Sequence, residues 1–177
     1  MSQSATLYSI SSATFQRLFG APGIEEFESS QARSICTFQG TFMGLEFVLA
    51  KDQDEEDAQL AREIFNPVEM IGQERFDDAS LYEEFDLPGE ATAIPYLDPS
   101  TIEGINSFLQ RASASDVENA YDADEMNDNG IYPGIWSDDD DDEEMQGKSS
   151  LVEDFAKLKS FMNQAFRDKD YVLVFVG

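Results

Sequence analysis

Tyr171-Val172-Leu173-Val174-Phe175-Val176 is the stretch that decides how the rest of the chain is read. A strand with one wet face alternates apolar and polar residues, and this run does not alternate. Six apolar residues in a row predict a strand covered on both faces, in the middle of a sheet. Directly upstream, Leu151, Phe155, Leu158, Met162 and Phe166 recur every three or four residues, which predicts a long helix with one buried face, capped at Ser149-Ser150.

At the other end, Leu7, Tyr8 and Ile10 form a β-favouring run that stops at Ser11-Ser12. Phe15, Leu18 and Phe19 then follow at helical spacing as far as Gly20, giving a strand, a capped short helix and a turn. Ala21 to Ala32 reads as irregular, with a helical turn around Ile24 and Phe27. From Ile35 to Ala50, Phe38, Phe42, Leu45 and Leu49 keep helical spacing, so a buried helix is favoured over a strand. Gly40 and Gly44 weaken that helix by about 1 kcal/mol each but let another element approach closely.

Asp52 to Asp57 is an acidic surface stretch, and Leu60, Ile64 and Phe65 mark a helix that Pro67 ends. Val68 to Gly89 is weakly patterned, suiting short helical pieces and loops, with Phe76, Leu81, Tyr82, Phe85 and Leu87 dipping into the core. Ala91 to Leu97 is extended. Asp98-Pro99 then supplies an N-cap and a proline at the first helical position, ahead of Ile102, Ile105, Phe108 and Leu109. Two short helices follow, Ser113 to Tyr121 and Asp122 to Asn129, the second closed by Gly130. Ile131 to Trp136 leaves as extended chain, and no internal repeat is visible.

Ordered through the chain, Asp98-Pro99 with its amphipathic helix, Tyr121-Asp122-Ala123-Asp124-Glu125-Met126-Asn127, Gly130-Ile131-Tyr132-Pro133-Gly134-Ile135-Trp136, and the last helix and strand resemble the bacterial YfbM-like family, also called domain of unknown function 1877. Leu7-Tyr8-Ser9-Ile10 and its helix resemble that family's opening elements, while 20–88 matches loosely. The resemblance implies a small α+β domain and no reaction, since the family carries no assigned activity and supplies no catalytic residues. Taken with the segments above, the expectation is one α+β domain over 1–177. Its small sheet includes the N-terminal and C-terminal strands and packs against several helices, and an acidic loop lies at 137–148.

The 177 residues hold 37 acids against 11 bases, a formal charge of -26, and 12% are aromatic. Disordered acidic chains lack such aromatic content, so a folded core is expected. The charge repels phosphate backbones and anionic membrane surfaces, which argues against nucleic acid or membrane as a partner. No basic and apolar leader is visible and Cys36 stands alone, which together suit a reducing cytoplasm.

Histidine is absent, which removes Ser-His-Asp and Cys-His catalysis and histidine-ligated zinc. Cys36 therefore reads as a small buried hydrophobe. Phosphate-cradling glycine loops are missing too, leaving paired carboxylates, Tyr or Lys for any enzymatic reading. Tyr132 and Trp136 are candidates for a ligand pocket, although an aromatic cluster between helices more often pins them together. Asp138, Asp139, Asp140, Asp141, Asp142, Glu143 and Glu144 run consecutively, without the alternation or glycine of a calcium loop, and Asp122-x-Asp124-x-Met126 breaks that pattern as well. No metal or cofactor is expected. The run reads as a solvated loop or as an electrostatic surface for a basic protein.

The functional expectation is thus a non-catalytic acidic binding protein, in its most concrete form a bacterial immunity protein that neutralises a basic toxin. The alternatives are a small-molecule or enzymatic pocket near Tyr132 and Trp136, and a housekeeping domain whose acidity serves solubility.

Overall fold

A computed structural model describes residues 3–20, 27–71, 93–138 and 146–177. Its centre is β7 (Tyr171–Val176), which lies between β1 (Ser4–Ile10) and β4 (Ile94–Leu97) in a five-stranded sheet ordered β2-β1-β7-β4-β3, antiparallel throughout. The outer strands are β2 (Ser34–Gln39) and β3 (Glu69–Ile71). The uninterrupted apolar run is explained by what covers it. Val172 and Val174 face the main core, whereas Leu173 faces a second cluster with Ile10, Ile71 and Ile94.

That second cluster is sealed by α1 (Ser12–Gly20), whose start is capped by the Ser11 hydroxyl accepting from the Thr14 N–H. Phe15 on α1 stacks on Tyr171, with ring centroids 3.7 Å apart. Farther along the same face Phe27 meets Tyr8 edge-on, and the strand residues beyond it are open to solvent.

The other face carries Ala5, Leu7, Cys36, Phe38, Leu97, Val172 and Val174 under a layer of helices. These are α2 (Phe42–Ala50), α3 (Glu55–Glu63), α4 (Pro99–Arg111), α5 (Ala114–Ala120), α6 (Ala123–Asp128) and α7 (Lys148–Asp168). Asp98 caps α4 through the Thr101 N–H at 2.7 Å, with Pro99 in the first turn, as the dipeptide predicts. Gly130, at φ +66, closes α6 as expected. The family-like α+β domain with paired terminal strands is the observed fold.

Several expectations change. The helix favoured over 35–50 is a strand followed by a helix. Cys36 and Phe38 alternate inward on β2, Gly40 turns the chain at φ +75, and α2 begins only at Phe42. Phe38, Phe42, Leu45 and Leu49 are all buried, so the apolar spacing was sound while its period was mixed. Val68 to Gly89, expected as helical pieces and loops, contributes the edge strand β3, and 72–89 with its five apolar candidates lies outside the described residues. Ile24 also lies outside them, and the turn nearby is a 3-10 turn at Ser29–Gln31.

At α7 the cap is Gly147, two residues before the expected Ser149-Ser150, and Phe166 is 39% exposed while Leu151, Phe155, Leu158 and Met162 are buried. The last turn of a 21-residue helix runs past the edge of the core it covers. Ile131–Trp136 is a turn more than an extended segment, because the Gly134 N–H returns to the Ile131 carbonyl at 2.9 Å and Gly134 sits at φ +74.

Candidate partner-binding surface

Trp136, the sole tryptophan, is 2% exposed, and its position is fixed three ways. Its indole N–H donates to the Ile131 carbonyl at 2.9 Å. Its backbone N–H and C=O are both bonded by the Asn127 side-chain amide, at 3.0 and 2.9 Å. The ring lies against Gly44 of α2, where a Cβ would fall 2.3 Å from the indole. Gly44 therefore gives the close approach its sequence suggested, and Trp136 ties the turn after α6 to α2. Tyr132 is half-buried, and its hydroxyl accepts the Gln3 N–H at 3.0 Å. Of the two candidate pocket residues, one is core and the other closes the N-terminus against the turn.

Beyond the indole, β5 (Trp136–Ser137) pairs in parallel with β6 (Gln146–Gly147), so the described chain on either side of 139–145 is held at one point. The Tyr121 hydroxyl donates to the Ser137 carbonyl at 2.6 Å and steadies that point. Asp138 is exposed at its start. Asp139, Asp140, Asp141, Asp142, Glu143 and Glu144 lie outside the described residues.

A second concentration of acid emerges only in three dimensions. Between α2, α3, α4 and α5 lies a cleft of about 360 Å³ lined by Val48, Lys51, Asp52, Asp57, Arg111 and Asp116, among others. Lys51 caps the end of α2, and Asp52 takes a left-handed conformation at φ 58 that turns the chain so that Asp54 can cap α3. Aspartate tolerates this region better than most residues.

Both cations of the cleft are already engaged. Arg111 makes a two-pronged contact with Asp57 at 3.0 and 2.8 Å, and Lys51 pairs with Glu125 while also donating to the Ala120 carbonyl. Both are held above their ordinary pKa. For Arg111 the causes are the Asp57 hydrogen bond and charge, with Asp54 and Glu56 adding. For Lys51 they are the Glu125 hydrogen bond first, with Asp122 and Asp52 contributing. Asp52 and Asp116 on the cleft wall are exposed, and the exposed Asp54, Glu56 and Asp122 lie near enough to act on its cations, which are bound to other acids; together these five acids form its rim. The sequence marked Asp52 to Asp57 as acidic surface, but its convergence with α5 and α6 depends on the packing of four helices.

On the other side of α2, Phe42, Met43, Glu46, Arg62, Asn66 and Ile131 line a groove of about 520 Å³. Burial pushes the Glu46 carboxyl up, against the Asn66 amide, which donates to it at 2.9 Å, and the Arg62 charge. Elsewhere the polar groups are structural. Asp154 on α7 accepts from the Thr41 hydroxyl and, at 2.7 Å, from Lys157. Asp170, 1% exposed, accepts from the Ser9 hydroxyl at 2.7 Å and from Arg33 at 3.0 Å. Cys36 is buried on the core face of β2, and desolvation, with the nearby Asp154 charge, pushes its thiol up to about 11. Its expected role as a small hydrophobe agrees with that environment. Among the described residues no group of three or more Cys, Asp or Glu is placed to share a metal ion, and no helix is long and apolar enough to cross a membrane.

An antiparallel sheet with its N-terminal and C-terminal strands side by side, a layer of helices on one face and α1 on the other defines an α+β domain. The sequence profile of the domain of unknown function DUF1877 matches residues 1–175, and the chain belongs to that family. It is similar in structure to a protein of unknown function, YfbM from Escherichia coli, with a TM-score of 0.60 at 16% identity over 100% of both chains. Among curated proteins none matches the chain.

Proposed function

We propose that the protein is a non-catalytic binding protein that docks a basic protein partner in a reducing cytoplasm, and that in its most concrete form it is a bacterial immunity protein occluding a basic toxin. The observation that carries this reading is the acid-rimmed cleft, whose two cations are already bound by Glu125 and Asp57. A basic side chain approaching the rim meets carboxylates without having to displace a free lysine or arginine there. The net charge of -26 adds long-range steering, which raises encounter rates and weakens with salt. The run from Asp138 to Glu144 contributes to the same field.

The test is affinity capture with three proteins: wild type, the rim variant Asp52→Asn/Asp54→Asn/Glu56→Gln, and a deletion of 138–144. A basic protein held at low salt, at least about tenfold more weakly by the rim variant and released as salt rises, is the expected result. Equal capture by all three proteins, or no basic partner at either salt, sinks the reading. For the immunity form, failure to inhibit a captured toxin removes that form alone.

One observation favours a second reading, a small-molecule site. The groove beside Ile131 joins apolar walls to a Glu46 carboxyl that burial has pushed up, a combination common in ligand pockets. A thermal-shift screen with metabolites separates the two, since a ligand bound only by the native state raises Tm. In that reading Glu46→Gln abolishes the shift, and silence across the screen counts against it.

A further inference from the structure

The two edges of the sheet are built differently. Strand β3 is three residues long, carries Glu69 and follows Pro67, all features that discourage pairing with another chain. Strand β2, Ser34-Ile35-Cys36-Thr37-Phe38-Gln39, is six residues long and has no charge, no proline and an unbroken register with β1. In a chain with 27% charged residues such an edge stands out.

Hydrogen-bond phase shows which of its backbone groups are open. Ser4 and Gly177 exchange both their bonds, at 2.7 and 3.0 Å, so the even residues of β1 bond toward β7 and the odd ones toward β2. The Gly40 N–H reaching Gln3 at 3.0 Å agrees with that phase. Ser34, Cys36 and Phe38 therefore bond inward, and Ile35, Thr37 and Gln39 turn their N–H and C=O groups outward. Among the described residues no strand meets them. Their side chains also lie on the open face, where Ile35 is 52% exposed.

We infer that β2 is a self-association edge, on which a second copy of this chain pairs antiparallel about a two-fold axis at Thr37, continuing the sheet from copy to copy. Thr37 then faces its own copy and Ile35 faces Gln39, each pair able to exchange two backbone bonds. The chemistry favours a second copy over a basic protein, because this edge offers no acid to attract one. The six strand residues themselves let two strongly acidic chains meet without opposing acids. Above the strand, Lys157 of α7 lies close enough to the neutral Cys36 thiol to favour its ionised form slightly, and Glu153 lies close enough to Lys157 to favour the ammonium. A two-fold axis reverses α7, so the half-exposed Lys157 of one copy, which pairs with Asp154 at 2.7 Å and keeps two further N–H donors, comes to the side of Glu153 of the other, a complementary arrangement.

Six residues of edge contact fall short of the roughly 1,200 Å² of a stable interface, so the association is weak, with Kd on the order of 100 micromolar. The net charge opposes it. Self-pairing therefore strengthens as salt rises, the reverse of the dependence proposed for a basic partner, and the two ideas stand or fall separately.

Sedimentation velocity of the full chain, from about 10 to about 500 micromolar in about 0.02 M and about 0.3 M salt, tests it. Expected are monomer at low salt and a concentration-dependent dimer at high salt, unchanged by reductant because Cys36 is buried and its thiol is unreactive. Thr37→Lys places like charges at the axis and weakens the dimer at least about tenfold with little change in Tm. Glu153→Lys sets like charges beside Lys157 and weakens it in the same direction, and it serves alone if Thr37→Lys fails to fold. Monomer under every condition, a dimer that weakens with salt, a reductant-sensitive dimer, or full-strength dimerisation by a folded variant overturns the inference.

Discussion

Replacing Gly44 by Ala sets two local effects against each other. Alanine favours a helix over glycine by about 1 kcal/mol, so on propensity alone the variant is more stable. Packing runs the other way. The new Cβ would sit 2.3 Å from Trp136 Cη2, 2.4 Å from Cζ2 and 2.9 Å from Met126 Cε. Carbon atoms need about 3.5 Å, so the indole or helix α2 must retreat by roughly 1 Å. The methionine end adapts readily, but the indole is held by its own N–H bond and by the Asn127 amide on its backbone. Overpacking of this kind costs about 1–3 kcal/mol, and a buried hydrogen bond stretched in relief adds about 1 kcal/mol. With the propensity gain subtracted, the net loss is about 1–3 kcal/mol. For a domain of this size each kcal/mol moves Tm by about 2–4 °C, so a fall of about 2–12 °C is expected. Calorimetry or urea unfolding reads the loss, and the emission of the single tryptophan reports the displaced ring. Trp136→Phe makes room, so the double variant should lose at least about 1 kcal/mol less than the sum of the singles. A Gly44→Ala protein as stable as wild type, with unshifted emission, refutes the placement of Trp136 on α2.

Two other perturbations test the buried polar groups. Thr41→Val keeps the shape of the side chain but leaves Asp154, among the described residues, with Lys157 at 2.7 Å as its remaining partner, which should cost about 1–3 kcal/mol in urea unfolding; an unchanged midpoint would mean that the hydroxyl contributes nothing. Burial raises the Asp170 carboxyl above its ordinary value, while the Ser9 hydrogen bond and the Arg33 charge pull it down. A folded pKa above the unfolded one means that its stabilising contribution is complete below the ordinary carboxylate range and is lost as pH rises through the folded value. Asp170→Asn, which keeps an acceptor for both partners, should flatten the Tm profile as pH rises out of the ordinary carboxylate range, relative to wild type. Parallel profiles would refute that assignment.

Local chemistry made much of the fold legible. Asp98-Pro99 could start a helix whatever surrounded it, because the cap and the missing proline N–H act within one turn. The run 171–176 announced a covered strand because both of its faces had to leave water. The segment 35–50 was misjudged at its start because Phe38 and Phe42, four apart, satisfy a helical period by coincidence. They lie on a strand and a helix separated by Gly40, and only the pairing of β2 with β1 distinguishes the two. Phe166 misled for a related reason, since periodicity specifies a helix face without specifying where the body beneath it ends. Of the candidate surface, Asp52 to Asp57 was visible as acid. Its meeting with Asp116 and Asp122, and the capture of Lys51 and Arg111 within it, joins residues more than fifty positions apart.

By itself, then, the sequence determined composition-level properties and short-range ones: an acidic chain without histidine, its helix starts, its apolar strands and its family likeness. These depend on the count of side chains or on contacts within a few residues. Only the tertiary structure decided that Trp136 is core, that the cations of the cleft are spent on internal acids, and that β2 meets no outer strand among the described residues. Each of those is set by which distant segments exclude water from one another, and no local pattern carries that information.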